Sequence, residues 1–147
     1  MSPEIALQSA VVDRLGADMA VMAIVAGRIF DQVPADRAPG EPPYVEIGPI
    51  NRTRFEGCAA GWLIRMRLYA TSTDFGRVEA WNLADAIVAA LDDRIDETGA
   101  QAVEALALAA PFRILDSLRV VQAGDVVDPL QIKSVFVDVQ AVIARVG

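Results

Sequence analysis

Apolar residues return at helical spacing near the start of the chain. Ser2, Pro3 and Glu4 supply a capping hydroxyl, a proline preset for the first turn and a carboxylate at the positive end of the dipole. Ile5, Val11, Val12 and Leu15 then fall on one broad face, which predicts a helix from about 3 to 15 closed by Gly16 in a left-handed conformation. Asp18 can cap a second, short helix through "MAVMAIVA", ended by Gly27. Its nearly uniform apolarity predicts burial against a sheet or a neighbouring subunit.

The spacing then changes from helical to alternating. "RIFDQV" reads as a short strand, and "PADRAPGEPP", with four prolines and a glycine, as an exposed loop or arm. In "YVEIGPINRTRF", Val45 and Ile47 share a face and Gly48-Pro49 implies a bulge or an edge position. "EGCAAG" is a turn. "WLIRMRLYAT" alternates most cleanly, Trp62, Ile64, Met66, Leu68 and Ala70 against Leu63, Arg65, Arg67, Tyr69 and Thr71.

A small polar joint, "TSTDFGR", leads into the principal helix. There Ala80, Ala84, Ile87, Val88, Leu91 and Ile95 form one arc, with Glu79, Asn82, Asp85 and Asp93 opposite. From Asp96 to Ala110 the pattern is ambiguous, and a short helix over "QAVEALALAA" competes with loop. Two last strands, "FRILDSLRVVQ" and "QIKSVFVDVQAVIA", are joined by the turn formers of "AGDVVDP", and Val135, Val137, Val139, Ala141 and Ile143 share a face. The elements amount to an α+β fold: about five strands packed against one principal helix, with a helical N-terminus.

Composition narrows the chemistry. The length of 147 residues suits one hydrophobic core, so residues 1–147 are expected to form a single domain. The chain is 54% hydrophobic, an apolar excess that suits a subunit burying more surface in an assembly. A net charge of -7 disfavours nucleic acid and anionic membranes as partners unless a local basic patch exists. The sequence contains no histidine, so a Ser-His-Asp or Cys-His site within one chain is impossible. Cys58 is the only cysteine, which excludes an internal disulfide or a thiolate cluster and suits a reducing cytoplasm. No secretion signal is read at the N-terminus, and Met19 to Ala26 is too short to cross a bilayer.

Strand, glycine-bearing loop and helix is also the layout of a phosphate loop or a nucleophile elbow. The joint has one glycine and no following Lys-Ser/Thr, however, and Ser72, Thr73, Asp74 and Gly76 are all competent simply to cap the helix. Asp74, Glu79 and Asp85, or Asp92, Asp93, Asp96 and Glu97, lack the spacing of a cation loop and read as a solvated helix end. Such acids oppose the dipole and can be balanced by Arg94 or by another chain. No catalytic, cofactor or metal residues are assigned. Arg65 and Arg67, with Arg52 and Arg54 on the preceding strand, could form a basic stripe of four guanidinium groups; only Tyr69 interleaves it with an aromatic ring, which favours a solvated or intersubunit face over nucleic-acid contact. That stripe could meet acidic residues such as Asp92 and Asp93 of a neighbouring subunit.

The order of Gly27-Arg28-Ile29-Phe30 before Val33-Pro34, the Pro43-Tyr44-Val45 strand start, and Gly76, Glu79 and Ala80 opening a helix to Leu91 resembles the tail-completion, or tail-terminator, proteins of long-tailed phages. The likeness spans roughly the first two thirds of the chain; the linker from Asp92 to Pro111 departs from it. The resemblance implies an antiparallel sheet with flanking helices and no enzymatic activity. It also implies a homo-oligomeric ring, typically hexameric, at the head-proximal end of the tail tube. Its partners would be the tail tube protein and a head connector or stopper, with DNA passing through the lumen without specific binding and no membrane involved. The setting would be a phage, prophage or gene transfer agent particle assembled in the bacterial cytoplasm. Two other classes compete: a non-catalytic α/β domain binding a small ligand or acting in regulation, and a hydrolase or nucleotide-binding enzyme that would need chemistry from the joint.

Overall fold

A computed structural model describes residues 1–31, 43–56, 60–72, 77–93, 98–99, 104–126 and 133–146. Helix α1 covers Pro3–Ala17, and the Ser2 hydroxyl accepts from the Ile5 amide at 3.3 Å. Ala6, Leu7, Val11 and Leu15 make its buried face, whereas Ile5 is 51% exposed. The helix runs through Gly16 and ends where Asp18 turns extended, so the expected glycine stop is not used. Asp18 explains why: its carboxylate accepts from the Val21 amide at 3.0 Å and starts helix α2, Met19–Val25. Only Val21 and Val25 of α2 are buried, and Met19 is 88% exposed, so all-round burial does not occur within this chain. Ala26 takes the left-handed cap (φ 50°) ahead of Gly27.

The sheet contains β1 (Ile29–Phe30), β2 (Tyr44–Glu56), β3 (Ala60–Ser72), β4 (Phe112–Ile114), β5 (Arg119–Val126) and β6 (Lys133–Arg145). The order is β1-β2-β3-β6, with β4 and β5 both on the far edge of β6. Every pairing is antiparallel except that of β1 with β2. The expectation of about five strands holds, with six among the described residues because "FRILDSLRVVQ" is interrupted into β4 and β5.

The β2 bulge sets which residues face where. Ile47 pairs with Leu68 but Ile50 pairs with Met66, so β2 carries one extra residue at Gly48-Pro49. A single extra residue reverses the alternation beyond it. Before the bulge the core-facing positions are Val45 and Ile47; after it they are Ile50, Arg52 and Arg54, opposite Met66, Ile64 and Trp62. Glycine is required here: a Cβ on Gly48 would sit 2.7 Å from Tyr69 Cε2 and 3.0 Å from the Arg67 carbonyl oxygen.

Helix α3, Val78–Leu91, packs on β3, β5 and β6, and α1 and α2 pack on α3 and β2. The core forms between these helices and one face of the sheet. It is filled by Leu83, Ile87 and Leu91 of α3, Ile64, Met66 and Leu68 of β3, and Val135, Val137 and Val139 of β6. The helix starts after Arg77, which makes no side-chain cap hydrogen bond; Thr73, Asp74 and Gly76 lie outside the described residues. Ser72 instead ties strand to helix, its buried hydroxyl donating to the Glu79 carboxylate at 2.7 Å. Cys58, Arg94, Asp96, Glu97 and most of the proline-rich segment also lie outside the described residues.

Asp93 is not part of a solvated helix end. It is 1% exposed, and its two carboxylate oxygens accept from the amides of Leu118 at 2.6 Å and Leu106 at 2.9 Å. Its own amide donates to the Leu118 carbonyl at 3.2 Å. One residue thereby holds the interruption between β4 and β5, where Leu118 leaves the edge track and enters the core. Residues 104–109 form no helix, and the Leu106 amide among them donates to Asp93.

Candidate assembly interface

The four arginines expected on one stripe occupy two faces. Arg65 and Arg67 lie opposite Gln140 and Asp138, on the face turned away from the helices. The bulge puts Arg52 and Arg54 on the helix side, where Arg52 Nε pairs with Glu4 of α1 at 3.0 Å and its guanidinium stands 5.8 Å from the centre of the Trp62 ring. A four-guanidinium stripe is therefore ruled out by register. Asp93, buried and bound within its own chain, does not present a carboxylate to a neighbour; Asp92 is half-buried at the C-cap of α3.

The helix-free face carries a cross-strand ladder. Arg67 donates to both Asp138 oxygens, at 2.8 and 3.0 Å, and lies 4.2 Å from the centre of the Phe136 ring. The hydrogen bonds to Asp138 push the Arg67 pKa above its already high value, fixing the positive charge. Arg65 is exposed and donates to Gln140 Oε1 at 3.1 Å. Thr71 and Ser134 share a hydrogen bond at 3.0 Å in the same face. Half-buried Glu46 and Tyr69 sit opposite each other beside them. The sequence carried a signal for these pairings in the polar Asp138 and Gln140 between the valines of "VFVDVQ", a spacing that matches Arg67 and Arg65 across two antiparallel strands.

Two shallow grooves share Val12, Asp13 and Ile29 and lie along the outer side of α1. The larger, about 470 Å³, reaches Met22 and Gly27. Among the described residues no group of three or more acidic, histidine or cysteine side chains is placed to hold a metal ion, and no helix is long and apolar enough to cross a membrane.

The sheet thus has one face covered by helices and the other carrying an ordered charged ladder. The chain belongs to the family described as tail completion protein gp17, whose profile matches residues 9–144, and it is thus a structural component of a phage-type virion tail. The same fold occurs in a chain from the virion of a native gene transfer agent particle. The two share 23% identity with a TM-score of 0.78, over 97% of this chain and 98% of that one. No curated protein matches the sequence.

Proposed function

We propose that the protein, acting as one tail-terminator-like unit over residues 1–147, closes the head-proximal end of a phage-like tail tube as a ring of identical copies, six in number. The ring stops tube polymerisation and offers its other side to a head connector or stopper, while DNA passes through the lumen without specific contacts. The observation that carries this reading is the family match across residues 9–144. The structure supports it with an apolar-rich chain that leaves its charged sheet face uncovered by any described helix.

Within the ring, Arg65 is the ladder residue assigned to a neighbouring copy, since it is exposed and, among the described residues, bonded to the neutral Gln140. Arg67 is already neutralised by Asp138 and positions the ladder rather than a partner. The test is tube growth in vitro. Added to polymerising tail tube protein, the purified chain should cap one end of each tube and shorten the length distribution as its ratio to tube protein rises. Tubes that grow to unchanged lengths with bare ends would refute the terminator role.

A further inference from the structure

We infer that β5 of one copy pairs with the second half of β2 of the next, so that the sheet runs on from subunit to subunit; the inference rests on the ring reading above. Among the described residues, two long stretches of sheet edge have no strand beside them. β1 covers only Val45 and Glu46 of β2, so from Ile50 to Glu56 that strand has β3 on one side and, among the described residues, no strand on the other. β5 has β6 on one side and no described strand beyond it. An edge strand leaves a row of backbone donors and acceptors open, and proteins that remain single guard such rows with charge, proline or very short strands. β5 is eight residues long, and its middle, Val121 to Gly124, holds neither charge nor proline, with Val121 44% exposed at a register shift.

The occupant follows from length, direction and charge. β5, with eight residues, matches the seven of β2 that follow the bulge. Within the sheet each step from β2 through β3 and β6 to β5 is antiparallel, so β2 and β5 run in opposite directions. A ring generated by rotation about an axis near the strand direction presents every copy's β2 the same way up. The junction of β5 with the next β2 is then antiparallel, the more stable ladder. Pairing β2 with a second β2 would set Arg52 and Arg54 against themselves, and like charges directly opposite are destabilising. Against β5 the same arginines meet a strand with no basic residue on its helix-side face, where Val120 and Ala123 are apolar and Asp125 is held by Arg77 at 3.1 Å and by the Trp81 indole at 2.9 Å.

Disulfide trapping in the assembled protein tests this. In a Cys58→Ser background, Asn51→Cys or Thr53→Cys is combined with Gln122→Cys, all three positions lying on the helix-free face. Mild oxidation should give a covalent ladder extending to the full copy number of the ring with at least one pair, and no cross-link with any single cysteine. Dimers from Thr53→Cys or Gln122→Cys alone would mean like edges meet, and would overturn the inference. So would rings of normal mass that neither pair cross-links, which leaves the ring reading intact. If the Cys58→Ser parent forms no ring, alone or on tube ends, the ring reading falls and the edge pairing falls with it.

Discussion

Replacing Asp93 by asparagine tests the packing logic at its most constrained point. The carboxylate serves two buried amides, Leu106 at 2.9 Å and Leu118 at 2.6 Å. An asparagine has one acceptor oxygen in place of two, so one amide loses its partner and faces an NH2 group instead. An unsatisfied buried donor costs about 1–3 kcal/mol, and Asp93→Ala, which abandons both, about 2–6 kcal/mol. For a chain of this size the asparagine variant should melt roughly 2–12 °C lower. Urea denaturation, followed by the fluorescence of Trp62 and Trp81, measures the difference. Asp85→Asn, at an exposed position of α3, is the control and should stay within about 0.5 kcal/mol of the parent. If Asp93→Asn behaves like that control, the carboxylate does not hold the break between β4 and β5.

Gly48→Ala should destabilise by about 1–3 kcal/mol in the same assay, because the new methyl meets the Tyr69 ring and a backbone carbonyl that cannot retreat without disturbing the β2–β3 ladder; unchanged stability would contradict the close approach at the bulge. Burial, and secondarily the charge of Glu46, raise the Tyr44 pKa above its ordinary 10.0 against a smaller opposing effect of the Thr71 hydrogen bond. The folded chain therefore holds a proton that the unfolded chain gives up, and this contribution, complete below the unfolded pKa, is lost as pH rises through the folded one. Melting curves from about pH 9 to 11 should show a decline that Tyr44→Phe makes shallower. Arg65→Glu should leave the monomer's melting temperature within a few degrees and impair ring formation on sizing columns; normal rings from this variant would remove Arg65 from the interface.

Much of the fold was legible because alternation and helical spacing report burial directly, as in β3, β6 and α3. What escaped involved pairings between distant segments. The bulge at Gly48-Pro49 was visible, but its consequence for Arg52 and Arg54 depends on counting residues against β3, and ignoring that single insertion merges two faces into one stripe. Asp93 lies on the polar side of the helical wheel, yet the helix stops at Leu91, so the wheel no longer describes it. The two amides it binds lie 13 and 25 residues further along, beyond any local pattern. Gly16 was expected to close α1, whereas Asp18, read from the sequence as the cap of α2, also ends α1 by turning extended. For the candidate interface, sequence supplied Arg65 and Arg67 and their common face; the partners Asp138 and Gln140 needed strand order.

The most direct test of the central claim is the mass of the purified protein in solution, by native mass spectrometry or light scattering, with negative-stain images of the same sample. A closed ring of one stoichiometry, six copies, with a central opening is the predicted result. A strictly monomeric species at high concentration, which stays monomeric when tail tube protein is present, would contradict it.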